Sequence, residues 1–209
     1  MGTKVKADNF KNSLPLMEQF YSIQGEGYYS GRPAIFIRLA GCDVGCIWCD
    51  VKESWNKNEH AIESIEKIIC DVQETNCKFI VITGGEPAMY DLTNLTNELK
   101  LLGCEIAIET SGVYPIIGTI DWVCFSPKKF KKPNVNVFGM ANELKVIVFN
   151  KSDFSWAQDY AAKVGQECKL YLQPEWSKEK EMTPLIIDFV KKNPNWNISL
   201  QTHKYLDIR

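Results

Sequence analysis

A short loop decides the fold of this chain: Gly41-Cys42-Asp43-Val44-Gly45-Cys46-Ile47-Trp48-Cys49-Asp50. Its three cysteines are spaced Cys-x3-Cys-x2-Cys, and an apolar strand candidate comes directly before it. The two glycines favour a loop that folds three thiolates around one centre. Thiolates are the usual protein ligands of iron–sulfur clusters, and three of them on a four-iron cluster leave one iron open to a small molecule. The loop therefore predicts a [4Fe–4S] cluster held by Cys42, Cys46 and Cys49.

Other uses of the triplet remain open at this point. A structural zinc site needs four protein ligands, so a distant cysteine, His60 or His203 would have to complete it. A ferredoxin-like carrier would supply a fourth nearby cysteine, whereas the next one, Cys70, falls in a predicted helix. The remaining cysteines are expected to pack as small apolar residues, and they are Cys70, Cys77, Cys104, Cys124 and Cys168.

Outward from the loop, strands alternate with helices, which predicts an α/β fold with a parallel sheet. The predicted strands are Leu16–Ser22, Ala34–Leu39, Phe79–Thr83, Glu105–Glu109, Trp122–Phe125, Leu144–Phe149, Lys169–Gln173 and Asn197–Gln201. The predicted helices are Glu59–Glu74, with an apolar stripe of Ile62, Ile65, Ile69 and Val72, then Leu92–Leu102, Phe154–Val164 and Thr183–Lys192. A complete eight-unit barrel needs about 250 residues. This chain has 209, so we expect an incomplete barrel.

Polar motifs follow several of the predicted strands. They are Gly84-Gly85-Glu86-Pro87, Thr110-Ser111-Gly112, Ser126-Pro127-Lys128 and Gln173-Pro174. Since parallel α/β folds build their sites at the carboxyl ends of strands, we expect these motifs to share one site. The glycines of the first motif let backbone approach a ligand closely, and its carboxylate and backbone groups suit the amino group of an amino-acid ligand.

Composition and charge limit the kinds of protein that this chain can be. The net charge is −2, from 24 basic and 26 acidic residues, which argues against a large nucleic-acid surface. No apolar run is long enough to span a membrane. We expect a single domain over residues 1–209, with residues 1–14 as a flexible leader that lacks the apolar centre of a secretory signal. Clustered cysteines without a signal predict a reducing, cytoplasmic location.

The cysteine triplet followed by Thr83-Gly84-Gly85-Glu86-Pro87 resembles the radical S-adenosylmethionine (SAM) superfamily. Within it, nearly the whole chain resembles the 7-carboxy-7-deazaguanine synthase family. The motifs that carry this closer resemblance are Phe20-Tyr21-Ser22-Ile23-Gln24-Gly25-Glu26-Gly27, Gly31-Arg32-Pro33, Phe36-Ile37-Arg38-Leu39-Ala40-Gly41-Cys42, Trp48-Cys49-Asp50, Ser126-Pro127-Lys128 and Gln201-Thr202-His203-Lys204.

The resemblance implies a reduced (β6/α3) radical SAM barrel that forms a homodimer. The implied reaction converts 6-carboxy-5,6,7,8-tetrahydropterin to 7-carboxy-7-deazaguanine and ammonia, in queuosine biosynthesis for tRNA modification. A reduced [4Fe–4S] cluster would cleave SAM to a 5′-deoxyadenosyl radical, which abstracts a substrate hydrogen before the ring contracts. Magnesium is a further implied cofactor, and a flavodoxin- or ferredoxin-type protein is the implied reductant.

The resemblance also assigns roles to residues. The implied pterin-binding residues are Ile23, Gln24, Gly25, Glu26, Arg38, Thr83, His203 and Arg209. The implied SAM-binding residues are Trp48, Cys49, Asp50, Gly85, Glu86, Ser126, Pro127, Lys128 and Gln173. Glu26 would accept hydrogen bonds from the amino-pyrimidine edge, and Arg38 would bind the substrate carboxylate through its planar fork. The radical comes from SAM, so no side chain is assigned a catalytic role.

One position departs from the family pattern. Family members often carry a threonine after the Cys-Asp pair, and its hydroxyl ligates magnesium, but this chain has Val51. Magnesium requires oxygen ligands, so Asp50 or Ser54 would have to substitute, or water would fill the position. We expect magnesium to bind more loosely here.

Two competing functions stay in view. Another radical SAM enzyme of similar size, such as a glycyl-radical activase, would act on a protein and would lack the paired Gln24-Gly25-Glu26-Gly27 and Thr202-His203-Lys204 motifs. A non-catalytic cluster or zinc protein would show no SAM cleavage, and iron and sulfide content would identify it.

Overall fold

The structure is a computed structural model that describes residues 12–209. The strands are β1 (Ser13–Ile23), β2 (Pro33–Leu39), β3 (Ala61–Ser64), β4 (Phe79–Gly84), β5 (Glu105–Thr110), β6 (Trp122–Phe125), β7 (Glu143–Val148), β8 (Lys169–Pro174) and β9 (Trp196–Ile198). The helices are α1 (Ile65–Gln73), α2 (Thr93–Leu101), α3 (Val137–Met140), α4 (Ser152–Ala161), α5 (Glu179–Lys192) and α6 (Thr202–Leu206). Among these residues, no helix combines the length and the apolar character needed to cross a membrane.

One sheet contains all nine strands, in the order β3-β1-β2-β4-β5-β6-β7-β8-β9. From β2 to β9 every neighbouring pair is parallel, whereas β1 runs antiparallel to both β2 and β3. The two outer strands, β3 and β9, do not pair with each other, so the sheet stays open. The expected incomplete parallel barrel is therefore confirmed, with an antiparallel extension on one edge.

The sheet has an apolar face under the helices and a second face that turns polar toward one end. On β2, Ile35, Ile37 and Leu39 join the main core with helices α1, α2, α4 and α5. Ala34 and Phe36 join a smaller cluster on the opposite face. Because side chains alternate along a strand, Arg38 lies on that opposite face at the carboxyl end of β2. The strand pattern therefore delivers polar side chains to the inner face of the barrel, where the helices do not cover them.

The predicted helix Glu59–Glu74 is wrong in its first turns. Residues Ala61–Ser64 form β3, which pairs with Ser13–Leu16 of β1, and the helix begins only at Ile65. The side chain of Ser64 caps the helix by accepting a hydrogen bond from the backbone N–H of Lys67. Ile62 is consequently exposed on the edge strand, and the buried stripe is Ile65, Ile68 and Val72. Helical apolar spacing runs through both β3 and α1, so the sequence pattern alone did not show that the helix begins only after the Ser64 cap.

The C-terminal prediction also needs correction. The last strand was expected over Asn197–Gln201, but β9 ends at Ile198 and α6 begins at Thr202. Helix α5 begins at Glu179 rather than Thr183. Of the expected leader, residues 1–11 lie outside the described residues. Ser13 and Leu14 belong to β1, and Leu14 is fully buried.

Candidate active site

A cavity of about 280 Å³ opens at the carboxyl ends of the parallel strands. Its walls come from inner-face residues of successive strands: Arg38 on β2, Thr83 on β4, Glu109 on β5, Lys145 on β7 and Gln173 on β8. The cysteine loop, the loop after β1 and the C-terminal helix close its sides. The motifs that the sequence placed after the strands therefore meet at one site, as parallel topology requires.

The three cysteines of the predicted cluster site all line this cavity as free thiols. The loop is fixed by backbone bonds from Gly41 N–H to Ser54 C=O at 2.6 Å and from Cys42 N–H to Trp55 C=O at 3.1 Å. The indole N–H of Trp55 donates to Cys49 Sγ at 3.4 Å. Burial raises the pKa of the Cys42 thiol to about 11. Metal ligation would supply the deprotonation that burial opposes.

The Gly84-Gly85-Glu86 segment lies against the cysteine loop. Gly85 N–H donates to Leu39 C=O at 3.0 Å, and Glu86 N–H donates to Gly41 C=O at 2.9 Å. A Cβ on Gly85 would lie only 2.8 Å from Cys42 Cβ, so only glycine permits this approach. The residues thus form a close backbone cradle beside the cysteines, which fits a small ligand held at an open iron.

The Glu86 carboxylate serves the protein rather than the cavity. Its Oε1 accepts from Ala88 N–H at 3.1 Å and from the Thr110 hydroxyl at 2.5 Å. Its Oε2 accepts from both the backbone N–H, at 2.8 Å, and the hydroxyl of Ser111. With four donors bound and 1% exposure, this carboxylate has no free position for a ligand amino group. Such a group would have to meet backbone carbonyls of the glycine segment instead.

A charged network also lines this cavity. The buried ammonium of Lys145 lies 2.6 Å from Glu26 Oε2 and 2.8 Å from Glu109 Oε2. Gln24 Nε2 donates to Glu109 Oε1 at 2.9 Å, and Gln201 Nε2 donates to Glu26 Oε1 at 2.8 Å. Burial alone would raise the pKa of Glu26, but the Lys145 charge and the hydrogen bonds from Lys145 and Gln201 lower that pKa to about 2. Glu26 is therefore an ionised acceptor at neutral pH.

Arg38 and the last residue of the chain meet at one carboxylate. Arg38 Nε donates to Glu18 Oε1 at 2.7 Å, and Arg209 Nη2 donates to Glu18 Oε2 at 2.5 Å. Ser22 Oγ also donates to the backbone C=O of Arg209, at 2.7 Å. Within residues 12–209, the terminal nitrogens of Arg38 have no hydrogen bond that competes with a ligand. Glu18 therefore holds Arg38 by one edge and leaves its fork toward the cavity.

Hydrogen bonds to the loop after β1 hold the C-terminal segment against the cavity. Thr202 donates to Gly25 C=O at 2.9 Å from both its backbone N–H and its hydroxyl. A Cβ on Gly25 would lie 2.8 Å from the backbone N of His203, so the close approach depends on glycine. Burial lowers the pKa of His203, although Glu26 opposes this. The imidazole therefore reaches the cavity neutral at pH 7.

Every site residue that the sequence indicated lines the cavity except Pro127. Lys128 Nζ donates to Ser126 Oγ at 2.6 Å, and Gln173 Oε1 accepts from Ser199 Oγ at 2.6 Å. Trp48 stacks on Phe149 with ring centroids 5.4 Å apart. Pro127 is buried outside the lining.

Sequence reasoning missed three lining residues of the charged network: Glu109, Lys145 and Gln201. The first two each lie inside an apolar run, Glu105–Thr110 and Glu143–Val148. A charged residue in a strand that is otherwise buried was the available signal.

The residues present do not fit the family's magnesium. Val51 offers no side-chain oxygen, and Ser54 is buried with its hydroxyl donating to Val51 C=O at 2.7 Å. Asp50 Oδ2 lies 3.6 Å from Lys204 Nζ and 3.4 Å from Gln201 Nε2. Among residues 12–209, no three His, Cys, Asp or Glu side chains converge on one ion. Ser54 does not line the cavity, and Asp50 lies beside the ammonium of Lys204, so neither offers magnesium a free side-chain oxygen in the cavity.

The chain is similar to several known proteins over most of its length. The family described as "Radical SAM superfamily" matches residues 36–151. A 7-carboxy-7-deazaguanine synthase of Flavobacterium psychrophilum is 55% identical over 195 residues, which covers 93% of this chain and 92% of that protein. The enzyme of that name from Synechocystis is 45% identical and covers 94% of each chain. The crystal structure of QueE from Escherichia coli superposes with a TM-score of 0.83 at 33% identity, covering 90% of this chain and 93% of that one.

Proposed function

The chain belongs to the 7-carboxy-7-deazaguanine synthase family of the radical SAM superfamily, and we propose that it converts 6-carboxy-5,6,7,8-tetrahydropterin to 7-carboxy-7-deazaguanine and ammonia. Substrate and product differ by one molecule of ammonia, so the reaction needs no net oxidant. The product would enter queuosine biosynthesis.

One observation carries the proposal: a single cavity joins the cysteine loop to a charged network suited to a pterin. Glu26 and Glu109 present carboxylate oxygens in this network, and Lys145 pairs with both. The 2-amino group and ring N–H of a pterin are donors, so adjacent carboxylates are matching acceptors. If the amino-pyrimidine edge of a pterin binds this network, the substrate carboxylate would point toward the other basic side chains of the cavity, which include Arg38.

Arg38 is the proposed partner of the substrate carboxylate. Its free fork can donate two parallel hydrogen bonds to both oxygens, a geometry that lysine cannot supply. Glu18 fixes the guanidinium from behind at 2.7 Å, so the fork is oriented before substrate arrives. Thr83 lies beside Arg38 in the parallel register of β2 and β4 and would contact the same ligand. Arg209 and His203 would then cover the pterin from the C-terminal side.

The cysteine end would hold the cofactors. Cys42, Cys46 and Cys49 would ligate the [4Fe–4S] cluster, and the Gly85 cradle would accept the amino-acid part of SAM. When bound and reduced, this pair supplies a 5′-deoxyadenosyl radical for hydrogen abstraction. Trp48, Ser126, Lys128 and Gln173 would position the adenosine part. The protein's own work is to bind, orient and shield these reactants from water.

The remaining parts of the proposal concern ions, partners and compartment. Magnesium would contribute weakly, since Val51 and the Lys204–Asp50 pair leave it no strong ligand set. We expect a homodimer, as the family resemblance implies. All eight cysteines are free thiols, which supports a reducing cytoplasmic compartment. A flavodoxin or ferredoxin would supply the electron.

An anaerobic turnover assay tests the function. Reconstituted protein receives SAM, dithionite and 6-carboxytetrahydropterin, and mass spectrometry identifies the product. We expect 7-carboxy-7-deazaguanine from the wild type and none from Cys46→Ala, which loses a proposed iron ligand. Cleavage of SAM without this product, in protein with full iron and sulfide, would favour a different radical SAM reaction.

A further inference from the structure

The loop that follows β1 carries two of the proposed pterin-binding side chains, Gln24 and Glu26. We call residues 24–27 the pterin loop. Directly after it, the backbone N–H of Tyr28 donates to Glu143 Oε2 at 3.3 Å. Glu143 itself does not line the main cavity. The end of the pterin loop is therefore held by a carboxyl group outside the cavity that the loop serves.

Glu143 is the first residue of β7, and only 3% of it is exposed. Its Oε2 accepts a second hydrogen bond, from the indole N–H of Trp122 on β6, at 3.1 Å. The ring of Tyr28 stacks on the same indole, with centroids 4.6 Å apart. One carboxyl oxygen thus joins two neighbouring strands to the residue that ends the pterin loop.

The other oxygen of Glu143, Oε1, has no hydrogen-bond partner among residues 12–209. It lies against Gly27, whose φ is +63°, and a Cβ on that glycine would collide with it. Only glycine combines this backbone conformation with so close an approach. The carboxyl group therefore fixes the pterin loop by steric contact as well as by hydrogen bonding.

Glu143 has no ion-pair partner in the described part of the chain, because the Lys145 ammonium pairs with Glu26 and Glu109 instead. A buried carboxylate without a paired cation is costly, which favours the neutral acid. Burial raises the pKa of Glu143, Lys145 acts against this, and Glu109 adds to it. The other titratable groups near it are thiols and a phenol whose pKa values are raised by burial: Cys124, Cys168 and Tyr171.

A second, small cavity shows how close the three carboxyl groups lie. Glu143, Glu26 and Glu109 all line it, and its volume is about 10 Å³. That is room for about one water molecule. An ionised Glu143 would place a third negative charge around the single ammonium of Lys145, and like charges disfavour ionisation. The arrangement is balanced when one of the three carboxyl groups is neutral.

We propose that Glu143 is a positioning residue for pterin recognition and that it acts as a neutral carboxylic acid. It holds the end of the pterin loop so that Gln24 and Glu26 meet the amino-pyrimidine edge of the substrate. Because it is neutral, it leaves the Lys145 charge to Glu26 and Glu109. The inference rests on the proposed function, since the pterin defines what the loop has to meet.

The test separates the charge of Glu143 from its hydrogen bonds. Glu143→Gln keeps an acceptor oxygen for both N–H donors and removes only the ability to ionise. Glu143→Leu removes the acceptor as well. Asp153→Asn is the matched control, because Asp153 is also 3% exposed but pairs with the ammonium of Lys129. Gly27→Ala drives a methyl group against the same carboxyl group and is a second route to displacing the loop.

Three measurements are made on each protein. Urea unfolding of the cluster-free protein reports stability. Infrared difference spectra of the cluster-free protein report the carbonyl stretch of a protonated carboxyl group. Dithionite-driven turnover of the cluster-loaded protein gives separate KM values for 6-carboxytetrahydropterin and for SAM.

For Glu143→Gln, we expect the urea midpoint of the wild type, a pterin KM within about twofold of it, and loss of the carboxylic-acid carbonyl stretch at neutral pH. Asp153→Asn should lower the urea midpoint, because it breaks a buried ion pair. For Glu143→Leu, we expect a pterin KM about tenfold higher with the KM for SAM unchanged, because two N–H donors lose their acceptor and the loop shifts. Gly27→Ala should show the same split and decides the matter if Glu143→Leu does not fold.

Two results would overturn the proposal. A pterin KM in Glu143→Gln as high as that in Glu143→Leu, or a wild type without the carbonyl stretch, would show that the carboxyl group acts as an ion. A wild-type pterin KM in Glu143→Leu and Gly27→Ala, or an equal rise in the KM for SAM, would remove the positioning role. Absence of deazaguanine product from the wild type would instead count against the proposed function.

Discussion

At the scale of single residues, Lys145 decides the charge of the pterin end of the cavity. Its ammonium is buried and bridges Glu26 and Glu109. We expect Lys145→Met to lower the free energy of unfolding by about 3–5 kcal/mol, because two carboxylates lose their shared cation. Pterin turnover should fall with it. The control Lys169→Met removes an exposed lysine from the neighbouring strand, and unchanged urea unfolding is expected there.

The same lysine sets a pH dependence. The pKa of Glu26 is lowered from 4.5 to about 2, against the effect of burial, by Lys145 and Gln201. A lowered pKa means that ionised Glu26 stabilises the fold above pH 4.5, and that this contribution is lost as the pH falls toward 2. Urea unfolding of cluster-free protein at stepped pH should show this acid-side loss in the wild type. A Glu26→Gln variant with the same acid-side slope would contradict it.

Arg38 carries the proposed recognition of the substrate carboxylate. Arg38→Ala should cost about 2–5 kcal/mol in kcat/KM for the carboxylated pterin, because a desolvated charge pair is lost. Iron content and the visible spectrum of the cluster should stay unchanged. Arg32→Ala is the matched control, since Arg32 pairs with Glu105 at the other end of the sheet. Equal kcat/KM in Arg38→Ala and the wild type would remove Arg38 from the substrate site.

Val51 makes the magnesium requirement testable. Because the chain offers magnesium no side-chain oxygen here and Lys204 already meets Asp50, we expect turnover of the wild type to change less than about tenfold on magnesium chelation. Val51→Thr restores a hydroxyl and should make turnover depend more steeply on added magnesium. A magnesium titration of both proteins measures this. A wild type that is inactive without magnesium would show that water or backbone oxygens complete a site.

At the scale of elements, the glycine segment after β4 determines whether a cluster and SAM can share the loop. Gly85→Ala would place a methyl group 2.8 Å from Cys42 Cβ and should displace the loop, at a cost of about 1–3 kcal/mol. We expect a lower iron content after reconstitution. Gly139→Ala, whose new methyl group meets no atom within 4 Å, should retain full iron. Equal iron content in the two variants would show that the close approach is not required.

Strands and helices could be predicted from the sequence where a single pattern, such as an apolar run, marked the segment without a competing pattern beside it. The parallel strands β4, β5, β6 and β8 were predictable because each is a short β-branched or apolar run with a polar motif at its end. Strand β3 was not, since four edge residues continue the apolar spacing of α1 and the Ser64 cap between them is a local signal. Helix α6 was missed because its five residues are too short for periodicity.

At the scale of the whole molecule, the sheet explains both what the sequence revealed and what it concealed. Motifs that follow parallel strands converge because those strands end on one edge, so the cysteine loop and the motifs after β4, β5, β6 and β8 could be placed at one site in advance. The roles of Arg38 and of the Gln24–Glu26 loop came instead from the family resemblance. The Lys145 network could not, since it joins strands and loops up to 175 residues apart and depends on inner-face alternation. The sequence around Lys145 and around Glu109 contains no pattern that indicates which residues they pair with.

The central claim is that this cavity directs radical chemistry to a carboxylated pterin, and substrate competition measures it most directly. Cluster-loaded protein receives SAM, reductant and equal amounts of 6-carboxytetrahydropterin and the tetrahydropterin without the carboxylate. Mass spectrometry then quantifies the deazaguanine products. We predict 7-carboxy-7-deazaguanine as the dominant product, with the unsubstituted pterin recovered unchanged. Formation of 5′-deoxyadenosine with no deazaguanine, from protein with full iron and sulfide, would contradict the claim.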